Sequence, residues 1–122
     1  MKGEHMSLIY LASPYSHPDP AIMQARFETV CCAAAHFMGE GVHIFSPIAH
    51  SHPIALAGEL PRGFEFWESY DRKILAACSA LWVLMMDGWK ESKGIGAEIV
   101  IAKEFKLPIE YIVPYESWQK PL

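Results

Sequence analysis

Long apolar runs, a basic excess and a patterned set of cysteines are all missing from this chain. Its uninterrupted apolar stretches fall far short of the ~20 residues that a bilayer-spanning helix needs, which points to a soluble protein with no membrane partner. Ten Lys and Arg stand against 14 Asp and Glu, giving a formal charge of −4. No basic stripe is therefore available to neutralise a phosphate backbone, and long nucleic acid is not an expected partner, although a single nucleotide remains compatible. The three cysteines, Cys31, Cys32 and Cys78, are odd in number, lack a C-x-x-C spacing and sit in apolar helical patterns. Reduced thiols in a cytoplasm follow as the expectation. The N-terminal MKGEHMSLIYLA lacks a long apolar h-region and runs straight into Ser13-Pro14, so no signal peptide is expected. Met1 to His5 reads as an expression remnant, with Met6 the natural start. No internal repeat, low-complexity tract or G-x-S-x-G elbow is present, and no polar motif would activate a cysteine, which disfavours serine and cysteine hydrolase chemistry.

What is present is a chain of 122 residues, 52% of them hydrophobic, enough for one domain burying roughly two-thirds of its unfolded surface. Ser7 to Ala12 is apolar on both faces, as a central parallel strand should be. Asp19-Pro20 is a good N-cap and first-turn pair for a helix over about Pro20 to Met38, ending at Gly39 to Gly41. Val42 to Ser46 reads as a second strand. Pro47 to Gly63, with three prolines and two glycines, reads as an irregular loop carrying His50 and His52. A helix over about Phe64 to Cys78 leads into a buried strand at Leu81 to Met86. A Gly- and Ser-containing turn then opens a helix near Gly94 or Gly96, and Ile109 to Val113 is the last strand. Alternating strands and helices predict an α/β three-layer domain of the flavodoxin-like or Rossmann-like kind, with four or five parallel strands in the order 2-1-3-4. That order puts the loops after Ala12 and Met86 in one crevice.

Two acids fall where helical phase turns them inward. Glu98 lies within the apolar arc of Ile95, Ala102 and Phe105, and Asp71 lies in the stripe of Trp67, Ile74, Leu75 and Cys78. A core-facing acid is costly unless it is satisfied or used, and the helix N-terminus is expected to help keep Glu98 ionised. A helix-start acid bonding its own amides is the ordinary alternative for Glu98, but a capping box there would need Ile95 as N-cap. For Asp71 the ordinary alternative is pairing with Arg72, Lys73 or a backbone amide. Ser13, Tyr15 and Ser16 follow the first strand at the crevice. Asp87 ends the third strand, where it contacts a ligand or caps a turn, and the free amides near Gly94 to Gly96, beside Ser92 and Lys93, suit a single phosphate, with a solvated loop charge the ordinary alternative for Lys93. His50 and His52 could share an ion, yet no third ligand follows at a recognisable spacing, so substrate contact, or bonding of the loop backbone, is expected rather than metal. GIGAE lacks the final glycine of a dinucleotide fingerprint and follows the third strand, so no NAD site is expected.

The segments IYLASPY (Ile9 to Tyr15), FSPIAHSHP (Phe45 to Pro53), YDRKILAACSALWVL (Tyr70 to Leu84) and SKGIGAEIVIA (Ser92 to Ala102) together resemble the nucleoside 2-deoxyribosyltransferase-like superfamily, which includes deoxynucleoside-monophosphate N-glycosidases. The resemblance implies a doubly wound α/β domain, dimeric or larger, with neighbouring subunits closing the pocket. It implies Glu98 as a nucleophile at C1′ of a deoxynucleoside, Asp71 protonating or holding the leaving base, Tyr15 lining the site, and no metal or organic cofactor. Transferases of this group commonly carry Asp-Ser-Gly before the nucleophile's helix, where this chain has Ser92-Lys93-Gly94, and the HSHP loop matches an uncharacterised branch. The expected activity is hydrolysis or transfer of a nucleoside or nucleotide N-glycosyl group. The alternative is a non-catalytic nucleotide-sensing module using the same crevice.

Overall fold

The computed structural model describes residues 7–119; Met1 to Met6, and so the expected remnant and start, lie outside them. Four parallel strands, β1 (Ile9–Ala12), β2 (Ile44–Phe45), β3 (Ala80–Leu84) and β4 (Ile109–Ile112), form one sheet in the order 2-1-3-4. This is the expected α/β, flavodoxin-like arrangement. β1 aligns Ile9 with Ile44 on one side and with Ala80 on the other, and Leu81 aligns with Ile109.

Four helices connect the strands: α1 (Pro20–Gly39), α2 (Pro47–Gly58), α3 (Phe64–Ala76) and α4 (Lys93–Glu104). The Asp19 side chain accepts from Ala21 N at 2.9 Å and starts α1 with Pro20 in its first turn. The expected loop from Pro47 to Gly63 is instead helical as far as Gly58. Ser46 caps α2 by accepting from Ala49 N at 3.0 Å, Pro47 occupies the first turn, and Glu59 ends it with a left-handed φ of 55°. Pro47 loses nothing at a position whose N–H has no helical partner, and the exposed Pro53 is tolerated within the helix. Other boundaries move by one to three residues: the second and third strands are Ile44–Phe45 and Ala80–Leu84, α3 ends at Ala76, and α4 opens at Lys93.

Because side chains alternate across a strand, β1 feeds two cores. Ile9 and Leu11 join Val30, Ala33 and Leu84 with Trp118 on one face, and Tyr10 and Ala12 join Leu75, Val83, Ile95 and Ala102 on the other. A 3-10 turn at Glu116–Trp118 brings Trp118 against Phe37 of α1, with ring centroids 5.8 Å apart. No helix among the described residues is long and apolar enough to cross a membrane. Cys31, Cys32 and Cys78 are free thiols.

Candidate active site

A cavity of about 370 Å³ opens at the carboxyl ends of β1 and β3, where doubly wound sheets place their ligands. This size suits a small molecule. Its wall includes Ser13, Tyr15 and Ser16 from the loop after β1, and Ser92, Lys93 and Gly94 at the start of α4. Asp71 of α3 and Glu98 of α4 also face it. Ile48, Ser51, Arg62, Phe64, Glu65, Trp67 and Glu91 complete most of the wall without having been singled out in the sequence.

Glu98 is buried, with 5% of its surface exposed. Ser92 caps α4 by accepting from Ile95 N at 3.1 Å, which puts Glu98 in the second turn rather than the first. The expected help from the helix N-terminus therefore does not reach it, because that effect fades beyond the first turn. Its partner is a side chain from the sheet: Tyr10 Oη donates to Glu98 Oε2 at 2.5 Å. Burial pushes the Glu98 carboxyl up to about 8, with the Asp71 charge adding to the rise and the Tyr10 hydrogen bond opposing it. The Tyr10 phenol is raised above its ordinary range by burial first, then by Glu98 and Asp71. It stays protonated and so remains a donor.

Asp71 is 8% exposed, and burial pushes its carboxyl up to about 7. Arg72, a possible partner in the sequence, instead holds Glu104 at 3.0 Å on the exposed side of α3. Among the described residues no hydrogen bond or ion pair neutralises Asp71. The two carboxyls share a poorly hydrated wall, where burial raises both and the Asp71 charge adds a smaller rise to Glu98. Such a pair holds one proton over a range near neutrality, which equips it with one base and one acid.

The hydroxyl of Ser13, 5% exposed and on the cavity wall, has no hydrogen-bond partner among the described residues. Lys93 and Arg62 bring positive charge to the wall, against the exposed acids Glu65 and Glu91. The loop after β1 is held from beneath: Arg26 Nη1 donates to Ser16 O at 3.0 Å and to Tyr15 O at 3.4 Å. The same guanidinium lies against Gly88, whose φ is +93°.

His50, His52 and Asp87 are not part of this wall. His50 stacks on Tyr70, with centroids 5.3 Å apart and planes 22° from parallel. His52 stacks on Phe27 at 4.3 Å and stands behind Tyr15, hydrogen-bonded to the phenol. Two residues apart on a helix, the imidazoles point in nearly opposite directions, about 200° around the axis. Among the described residues no group of three or more His, Cys, Asp or Glu is arranged to hold a metal. Asp87 is exposed and lines two other surface depressions, one shared with Trp89 and one with His17. Tyr10, which reaches the site through Glu98, is a further residue that sequence reasoning passed over. The available signal was a phenol within a strand apolar on both faces, since a buried tyrosine hydroxyl needs a partner.

No curated protein matches the sequence. A family model described as Domain of unknown function (DUF1937) matches residues 7–112, which take in all four strands, all four helices and every residue named on the cavity wall. The chain belongs to the DUF1937 family.

Proposed function

We propose that the protein cleaves the base–sugar bond of nucleosides or nucleotides, as an N-glycosyl hydrolase or transferase related to the nucleoside 2-deoxyribosyltransferase-like superfamily. The observation that carries this reading is the pairing of two buried carboxyls, Glu98 and Asp71, on one cavity wall, each raised toward neutrality and one in contact with a phenol donor. Support also comes from the sequence, since the segments that resemble that superfamily all contribute to this wall: Ser13 and Tyr15, Ile48 and Ser51, Asp71, and Ser92 to Gly94 with Glu98.

In the reaction the Glu98 carboxylate attacks C1′ of the sugar. The C1′–N bond breaks with its electron pair passing to the base, which takes the proton held by Asp71 and leaves. The sugar remains as an ester on Glu98. Water, giving its proton to the Asp71 carboxylate, or a second base then attacks C1′ and frees Glu98. Tyr10 opposes the effect of burial and favours the charge on Glu98, but a carboxyl near 8 still holds its proton more tightly than Asp71 near 7, so the first step requires that proton to pass from Glu98 to Asp71 when substrate binds. No metal or organic cofactor enters these steps. A second copy of the chain closing the cavity belongs to the same proposal.

One observation favours a second reading. Burial holds Glu98 up to about 8, so in the empty cavity it is largely uncharged at neutral pH and suited to hydrogen-bond a ligand rather than attack it. A non-catalytic nucleotide-sensing module would use it in that way. Incubating purified protein with a panel of deoxynucleosides and their monophosphates separates the two. The enzyme releases free base, at a rate reduced about 10³-fold or more in Glu98→Ala. The sensor gains thermal stability from a nucleotide without releasing base, and Glu98→Gln leaves its binding nearly intact.

A further inference from the structure

Behind the cavity a chain of side chains runs from the surface of α1 to the Tyr15 phenol, and its direction is fixed at every link. Gln24 Nε2 donates to the Glu28 carboxylate at 3.0 Å. A carboxylate only accepts, so the amide can face it only with its nitrogen, and Gln24 Oε1 is left toward His52. His52 Nε2 lies 2.9 Å from that oxygen and must carry the proton it donates. The imidazole is buried, at 3% exposure, and both its burial and the nearby Arg62 charge disfavour the imidazolium. Nδ1 is consequently an acceptor, and the Tyr15 hydroxyl, hydrogen-bonded to it, is the donor. Phe27 stacked on the imidazole and the edge-on Tyr15 ring, with centroids 5.4 Å apart, hold the ring in place.

We propose that His52 is a positioning residue that commits the Tyr15 hydroxyl proton away from the cavity, so that this wall offers only an oxygen acceptor and selects a ligand presenting a hydroxyl or amine donor to it. Arg62, on the same wall, is a positively charged neighbour of Tyr15. A donor there is compatible with a phenol oxygen that accepts. The reverse polarity would need Gln24 Oε1 turned toward the Glu28 carboxylate, placing two acceptors together. With a nucleoside as substrate, the donor read at this wall is a sugar hydroxyl, and that identification rests on the function proposed above.

Gln24 is exposed and contacts the cavity only through His52, so Gln24→Leu tests the relay without touching the wall. Nitrogen-15 NMR of the histidine rings at pH 7.5 reads the tautomer directly and needs no turnover. His52 is expected as the Nε2–H form in the unaltered protein and as a mixture with Nδ1–H in Gln24→Leu. An Nδ1–H or doubly protonated ring in the unaltered protein overturns the proposal. The second arm compares KM for 2′-deoxyadenosine with KM for derivatives methylated at each sugar hydroxyl in turn, which keep the oxygen and lose the donor. One methylation is expected to raise KM about 10-fold, and Gln24→Leu to shrink that penalty to about 3-fold or less with a smaller change in kcat. An equal penalty in both proteins overturns the proposal. If no nucleoside is turned over, the N-glycosidase reading fails while the tautomer still decides the relay.

Discussion

Tyr10, in the middle of the sheet, donates its phenol proton to Glu98, 88 residues further along the chain, at 2.5 Å. The contact exists because strand alternation turns Tyr10 toward α4 and helical phase turns Glu98 toward the sheet. Tyr10→Phe keeps the ring beside Phe45, 6.1 Å away, and removes only the donor. A loss of about 1 kcal/mol in urea denaturation is expected. The pH at which Glu98 ionises should move upward, because the hydrogen bond now lowers it. A kcat/KM profile unchanged in both limbs in Tyr10→Phe would remove Tyr10 from the site.

The paired carboxyls make a prediction about pH. The reactive form carries one proton on the pair, and the individual groups lie near 7 and 8. kcat/KM should therefore rise as the first proton leaves and fall as the second leaves, giving a narrow bell centred between about pH 7 and 8. Asp71→Asn removes the acid and the repulsion together. Its residual activity should show a single ascending limb, at the ionisation of Glu98 alone, with no descending limb. A profile flat from pH 6 to 9 in the unaltered enzyme speaks against the pair.

The same groups penalise folding, and the sign is set by which state holds more protons. Both carboxyls are raised in the folded protein above their ordinary values of 4.5 and 3.8. From about pH 4 upward the unfolded chain releases protons that the folded chain keeps, so stability falls through that window and levels off above about pH 8. Glu98→Gln retains an oxygen for Tyr10 and removes the penalty. Thermal unfolding should show it more stable than the unaltered protein by roughly 1–2 kcal/mol, about 4–8 °C, at pH 8. The gain should shrink toward zero near pH 4. Equal Tm values at pH 8 would mean that Glu98 is not buried at such a cost.

Gly88 supports the site from a distance. Its φ of +93° is in the region that favours glycine, and a Cβ there would lie 2.3 Å from Arg26 Nη2. Gly88→Ala should cost about 1–2 kcal/mol from the backbone alone. It should also displace Arg26 from the Tyr15 and Ser16 carbonyls and raise KM more than it lowers kcat. An alanine variant with unchanged stability and KM would show that this clamp is dispensable.

Much of the architecture was legible because the strands are short apolar runs and the inward acids break an otherwise apolar helical stripe. Helical phase marked Glu98 and Asp71 as inward acids and strand order put the loops after β1 and β3 at one crevice, while the wall shared by the two acids is visible only in the structure. The segment after Pro47 was not legible as a helix. Its prolines read as breakers, although Pro47 occupies the first turn where it costs little and Ser46 supplies the cap. That error carried His50 and His52 into the cavity as a pair, whereas helical geometry sends one toward Tyr70 and the other behind Tyr15. Tyr10 was hidden for the opposite reason: a strand's apolar pattern says which residues are buried, but not which buried hydroxyl meets a partner 88 residues away.

The central claim is that Glu98 forms a covalent bond to a sugar, and peptide mapping by mass spectrometry after an acid quench during turnover tests it most directly. With the deoxynucleoside or monophosphate that releases base fastest, a deoxyribosyl adduct is expected on the peptide containing Glu98 and on no other, and Glu98→Ala should show neither adduct nor base release. Base release that persists in Glu98→Ala, or an adduct on a different residue, would contradict it.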